Sequence, residues 1–282
     1  MTGSPSPLVL VHGFYHGSWC WSEVVLELAA SGRIAVAVDV AGHGLRARLP
    51  HAANVRPFDS AAFASEPSPI AEAGLDAAAD LLIEQITRVG HGAPVTVVAH
   101  SMGGAVLTRA AEQAPQLMAH LVYLTAYMPA SGVPCIAYPS LPEARESQFM
   151  PLLAGDPLAI GAMRVDTGTD DPRLRAGIRQ AFYGDVDEHV AAAATALLSC
   201  DAPTAMATES TTLTQSGWGS IGRTFVTCSQ DRTIPLALQR LFITQADEAF
   251  PANPTRVVEL ECSHAPFLSM PGKVAEIVAT LP

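Results

Sequence analysis

The sequence predicts an α/β chain: a doubly wound, mostly parallel six-stranded sheet with a helical cap inserted after the fourth visible strand. Three observations carry this expectation. Short apolar runs recur along the chain, each with the look of a strand buried on both faces. Amphipathic segments of helical period separate most of them. One long stretch, 129–222, breaks the alternation. Continuous apolar runs suit parallel strands covered by helices on both sides, and regular strand–helix alternation implies right-handed crossovers.

In chain order, the strand-like runs are PLVLVH (7–12), IAVAVDV (34–40), PVTVVAH (94–100), HLVYLTAYM (120–128), RTFVTCS (223–229) and TRVVELEC (255–262). SEVVLELAASG (22–32) has a serine at the N-cap position and Gly32 to end it. AEAGLDAAADLLIEQITRVG (71–90) is amphipathic and also stops at a glycine, and MGGAVLTRAAEQA (102–114) halts before Pro115. LALQRLFITQADEAF (236–250) and PGKVAEIVATL (271–281) follow the last two strands. The core is therefore expected over 1–128 and 223–282, and the cap over 129–222. Within the cap, Leu174, Ile178 and Phe182 fall four apart on one helical stripe, HVAAAATALLS (189–199) forms a second helix, and MRVDTGTDDPR (163–173) reads as a solvated loop. Long insertions of this kind are commonly functional.

Composition narrows the classes of function. The chain has 282 residues, a formal net charge of −11 and 49% hydrophobic content. That balance argues against nucleic acid, whose phosphates need a basic surface. No apolar run approaches the roughly 18 residues of a membrane span, and MTGSPSPLVLVHG has no leader pattern, so a cytoplasmic protein is expected. The cysteines, Cys20, Cys135, Cys200, Cys228 and Cys262, are scattered without a CxxC pair, which reads as buried free thiols. No histidine pair has metal-ligand spacing with a carboxylate, and no G-x-G-x-x-G opens a helix after a strand, so neither a metal nor another cofactor is expected. The expected partner is a small molecule, bound by a monomer or a homodimer.

The sharpest local signal is VTVVAHSMGGAVL (95–107), a strand that turns into a helix with almost nothing between. Ser101 stands at that corner, flanked by Ala99, Gly103 and Gly104, in the pattern G-x-S-x-G with alanine for the first glycine. Such a turn lifts the hydroxyl clear of the backbone at a helix N-terminus, where free N–H groups favour negative charge. A serine hydroxyl needs a base to become a nucleophile. Asp231 follows the fifth strand and His264 the sixth, giving the order serine, acid, histidine. Oxyanion donors are expected from the backbone N–H groups of Phe14, in VHGFYHGSW, and of Met102. A plain N-cap is the alternative role for Ser101, and a helix cap for Asp231. Asp39, Asp201 and Glu261 are rival acids, with Asp39 read as a structural hydrogen-bonder. His12, His43 and His100 are read as organisers of their loops.

LVLVHGFYHGSWCW, VDVAGHG, VVAHSMGG, CSQDRTIP and SHAPFLSMP together resemble the α/β-hydrolase superfamily, and within it the branch of plant methylesterases, hydroxynitrile lyases and their bacterial esterase relatives. The resemblance covers roughly 7–128 and 223–282 and leaves out the cap. It implies a Ser-His-Asp esterase acting through an acyl-enzyme on a small to medium hydrophobic substrate, such as the methyl ester of a hormone-like acid. The cyanohydrin-cleaving members carry a threonine after the first loop histidine and a lysine after the catalytic one. Gly13 and Ala265 stand there, which favours the esterase over the lyase. C–C cleavage, acyl transfer or cyclisation by the same triad remains open, as does a receptor-like binder on a hydrolase scaffold. A carboxylate-nucleophile hydrolase is disfavoured by Ser101. Gly13, His16, Met150, Leu152, Phe182, Leu197, Met206 and Trp218 are the expected substrate contacts.

Overall fold

A computed structural model describes residues 6–282. Residues 1–5, the start of the expected core and of the leader reading, lie outside the described residues. The principal sheet has six parallel strands: β1 (Leu8–Val11), β2 (Ala35–Val38), β3 (Val95–Ser101), β4 (Met118–Ala126), β7 (Arg223–Cys228) and β8 (Arg256–Leu260). Their order is β2-β1-β3-β4-β7-β8. Between β4 and β7 a short antiparallel pair, β5 (Ala162–Arg164) and β6 (Asp201–Pro203), aligns Met163 with Ala202.

The helices are α1 (Ser22–Ala30), α2 (Ser60–Ser65), α3 (Leu75–Gly90), α4 (Gly103–Gln113), α5 (Pro157–Ile160), α6 (Pro172–Tyr183), α7 (Glu188–Ala196), α8 (Thr204–Thr208), α9 (Leu236–Ala249), α10 (Pro266–Ser269) and α11 (Pro271–Ala279). The chain steps outward from β1 to β2, then back across to β3, β4, β7 and β8. Right-handed crossovers in opposite directions place α1 on one face of the sheet and α3, α4 and α9 on the other. Packing agrees, with α1 against α11 and α3 against α4. The order reverses between β1 and β3, and ligands of open α/β sheets bind at such a switch point, outside the C-terminal strand ends.

β1, β3 and β7 are buried at every residue, as continuous apolar runs require. The two outer strands correct the expectation that all six are covered. Val36 is 37% and Val257 50% exposed, because β2 and β8 each have a neighbour on one side only.

The segment 129–222 carries α5 to α8 and several 3₁₀ turns, but also the β5–β6 ladder, so it is not purely helical. The ladder corrects the reading of 163–173 as a solvated loop. Met163, Arg164 and Val165 are buried, and only the remainder is open. Arg164 has no access to water, so its charge needs compensation. Asp201 supplies it with two hydrogen bonds, from Nε at 2.6 Å and Nη2 at 2.8 Å. No helix is long and apolar enough to cross a membrane among the described residues. All five cysteines are free and buried.

Candidate active site

The corner serine is held as its local sequence predicts. Ser101 has φ +52°, a left-handed conformation that a residue bearing Cβ tolerates only when its surroundings enforce it. The enforcement is close packing. A Cβ at Gly103 would lie 2.5 Å from the His12 carbonyl oxygen, and one at Gly13 would lie 2.5 Å from Ser101 Cβ. Only glycine fits either place, so β1, β3 and α4 can close on one another. Met102 sits at the N-terminal end of α4, its side chain buried.

His264, four residues past the end of β8 at Leu260, brings Nε2 to 3.1 Å from Ser101 Oγ. Its Nδ1 lies 2.7 Å from Asp231 Oδ2. A carboxylate oxygen only accepts, so Nδ1 carries the proton and Nε2 is left to accept from the serine. Asp231 is almost wholly buried and receives three further donors. The Thr233 and Ile234 backbone N–H groups reach Oδ1 at 2.6 and 2.9 Å, and Thr125 Oγ1 donates to Oδ2 at 2.5 Å.

Thr125 was not visible as a site residue in the sequence. It occupies an irregularity in β4, where His100 pairs with Leu124 but Ser101 pairs with Ala126. Its φ of +38° marks the bulge. Bulges re-aim side chains beside active sites, and here the skipped residue turns its hydroxyl toward Asp231. No glycine or proline in the strand signals it.

The rival acids are engaged elsewhere. Asp39 accepts from Ser18 N at 2.7 Å and Leu45 N at 2.9 Å, Asp201 holds Arg164, and Glu261 is exposed. The other site histidines are loop organisers. His12 accepts from Val40 N at Nε2 and so donates from Nδ1 to the Gly13 carbonyl. His100 Nε2 donates to the His264 carbonyl at 2.8 Å. His43 donates from Nδ1 to the Ala41 carbonyl. Burial disfavours their charged forms, holding His12 at about 4 and His43 at about 3, and pushing His100 well below its ordinary value. All three are neutral at pH 7.

Phe14 and Met102, the expected oxyanion donors, both line the cavity that opens above Ser101 and His264. No carbonyl among the described residues accepts from either backbone N–H. The cavity has about 520 Å³ of free space, mouth included. Its wall is apolar and aromatic, with Tyr15, Tyr127, Phe149 and Phe182 around the serine and Ile136 and Met150 among its more exposed residues. Among the described residues, no group of three or more His, Cys, Asp and Glu side chains is arranged to hold a metal.

Of the expected substrate contacts, Met150 and Phe182 line this cavity. Six do not. Gly13 lies beneath Ser101 and presents no side chain. His16 is buried, donating from Nδ1 to the Phe14 carbonyl and accepting from Tyr183 Oη at 2.9 Å. Leu152 and Met206 turn into the core instead, Leu152 against Gly177. Leu197 is 58% exposed at the end of α7. Trp218 donates to Tyr123 Oη at 2.7 Å and packs under the Arg223 guanidinium. Hydrophobicity alone does not separate a wall residue from a core residue. Tyr15, Tyr127, Cys135, Ile136, Pro139, Phe149, Met163, Ala207 and Thr233 also line the cavity, none of them among the expected contacts.

Known proteins share this architecture. The family described as "Alpha/beta hydrolase family" matches residues 8–277. Methylesterase 9 of Arabidopsis thaliana is 26% identical over 277 residues, covering 95% of this chain and 94% of that protein. Probable esterase PIR7A of Oryza sativa subsp. indica is 35% identical over 124 residues, 44% of this chain and 40% of its own. Among solved structures, a pyrethroid hydrolase from Sphingobium faniae JZ-2 superposes with a TM-score of 0.73 at 22% identity, over 98% of this chain and 96% of that one. Methylesterase MES16 from Arabidopsis gives 0.68 at 20% identity, over 97% of each. With a family match running from β1 into α11, the chain belongs to the alpha/beta hydrolase family.

Proposed function

We propose that the protein is a serine esterase that cleaves a small to medium hydrophobic ester through an acyl-enzyme. The observation that carries this reading is the linear array Ser101 Oγ, His264 Nε2, His264 Nδ1, Asp231 Oδ2, with contacts of 3.1 and 2.7 Å at the floor of an apolar cavity. Ser101 attacks the ester carbonyl while His264 takes its proton. Asp231 holds the imidazole tautomer and stabilises the imidazolium. The Phe14 and Met102 N–H groups, free of protein acceptors, receive the oxyanion. His264 then protonates the leaving alkoxide, and the alcohol departs. Water, activated by the same histidine, attacks the acyl-enzyme and releases the acid. Every proton is handled by the triad, so the chemistry calls for no cofactor.

In this reading residues 6–128 and 223–282 form the catalytic core, and 129–222 act as the cap that walls the substrate. The relatives called methylesterases and esterases support an ester as the substrate. The buried free thiols suit a reducing, cytoplasmic setting.

The test is fluorophosphonate titration with hydrolysis of a p-nitrophenyl acyl ester series, on wild type and Ser101→Ala. Stoichiometric label and turnover in wild type are expected, both lost in the variant, with turnover down about 10⁴-fold or more. Full turnover in Ser101→Ala would sink the proposal.

A further inference from the structure

The cavity wall contains one strong hydrogen-bond donor that the protein leaves unused. Of its polar side chains, Tyr15 Oη donates to the Met163 carbonyl at 3.0 Å and Thr233 Oγ1 to the Ala181 carbonyl at 2.8 Å. Ser101 and His264 engage each other. The Cys135 thiol is a weak donor, held protonated because burial pushes it up to about 12. Tyr127 lines the cavity and is part-buried, and its Oη makes no hydrogen bond to any described residue; it is not one of the fully buried unpaired atoms, so in the free protein water reaches it.

Tyr127 is tied to the nucleophile through the backbone. Its backbone N–H donates to the Ser101 carbonyl at 2.9 Å, directly after the β4 bulge. Its ring is braced by Phe242 and Tyr138, with centroids 5.5 and 6.3 Å away. Burial raises its pKa, so the hydroxyl stays a donor across the neutral range. The rest of the wall restricts the ligand further. No Asp, Glu, Lys or Arg lines the cavity, so a charged group carried into it finds no partner and loses its hydration.

We infer that Tyr127 is a specificity-determining residue, selecting uncharged esters that carry a second hydrogen-bond acceptor, a ketone, ether or further carbonyl oxygen, apart from the scissile ester. This inference rests on the esterase reading and names its substrate class. An ester with that oxygen satisfies the donor. An all-carbon analogue buries the hydroxyl unpaired, the situation in which polar sites discriminate most strongly.

The experiment compares p-nitrophenyl hexanoate with analogues whose acyl chain carries one ketone or ether oxygen at successive positions. A matching set of hexyl acetates, followed by pH-stat, varies the alcohol side. Rates are normalised to active sites titrated with fluorophosphonate. Wild type is expected to favour at least one oxygenated ester over its hydrocarbon parent by about tenfold in kcat/KM, the scale of one net hydrogen bond. Tyr127→Phe should bring that ratio to about one. A wild type indifferent to every oxygen position overturns the inference without needing any variant, and so does a preference that survives Tyr127→Phe. A wild type that neither labels nor hydrolyses any ester overturns the esterase reading and this inference with it. Labelling with hydrocarbon turnover but no oxygen preference overturns the inference alone.

Discussion

The strand ends and the segment 129–222 meet over Ser101, yet they are built by different means. The strand ends owe their geometry to backbone: parallel ladders, a left-handed Ser101, glycines where chains touch, and a bulge at Thr125. The segment shares their apolar core and is joined to them by a few backbone hydrogen bonds and by scattered side-chain ones. Tyr15 Oη reaches the Met163 carbonyl, Thr233 Oγ1 the Ala181 carbonyl, Ser147 Oγ the Thr233 carbonyl, and Ser263 Oγ donates to Asp185. The polar machinery comes from the first region, and much of the wall, including Ile136, Phe149, Met150, Met163 and Phe182, from the second. Substitutions in the two regions should therefore separate rate from selectivity.

After Ser101 itself, the largest effect is expected at Asp231. Asp231→Asn keeps the shape but puts an amide where a carboxylate accepts from His264 Nδ1 and Thr125. The imidazole then loses the tautomer that leaves Nε2 free for Ser101. By analogy with the serine proteases, kcat should fall about 10⁴-fold while substrate affinity changes little. Steady-state kinetics on a good aryl ester decide it, and a fall below tenfold would make Asp231 merely structural. Gly13→Ala follows. Its added methyl group would lie 2.5 Å from Ser101 Cβ, so the serine or the Phe14 loop must shift. Displacements near 1 Å cost about 10²-fold in rate, and kcat should drop by that order with KM less affected.

Substitution in the other region should show the opposite pattern. Met150 is 47% exposed where it borders the cavity. Met150→Trp adds bulk there without emptying the core. The preferred acyl chain should shorten, with kcat/KM for the longest ester accepted by wild type falling about tenfold. Turnover of the acetate ester should stay close to wild type. Equal losses across the chain-length series would mean that this segment supports the chemistry itself.

The same division explains what the sequence displayed. Ser101, Asp231 and His264 were legible because each follows a strand-like run, and a strand end is a fixed address in a parallel sheet. Leu152 and Met206 were misjudged because an apolar residue in a helix-rich insertion can face either core or cavity, and no period of two or 3.6 says which. Phe149 and Ile136 escaped notice because they sit in 3₁₀ or irregular backbone, where spacing gives no face. Tyr127 lay inside a stretch legible as strand but one residue past the ladder's end, where alternation no longer fixes direction.

Thr125 gives the finest test of the backbone-built region. Its hydroxyl is one of four donors on Asp231, so removing it leaves the carboxylate bound to His264 and two backbone N–H groups. Thr125→Val conserves volume and branching, and the bulge remains held by the neighbouring ladder. Asp231 Oδ2 then has one partner instead of two, and the carboxylate gains freedom to rotate away from Nδ1. The expected cost is that of one buried hydrogen bond to a charged group, about 1.5–3 kcal/mol. Part of that falls on folding and part on the transition state, so kcat should drop several-fold with KM unchanged. Because the loss acts through the Asp231 carboxylate, Thr125→Ser should recover most of the rate and Thr125→Ala should not. Recovery by serine separates hydroxyl donation from any effect of filling the bulge. If valine matches wild type in kcat, the two backbone donors alone orient Asp231, and the bulge serves only to carry the chain past Ser101 toward Tyr127.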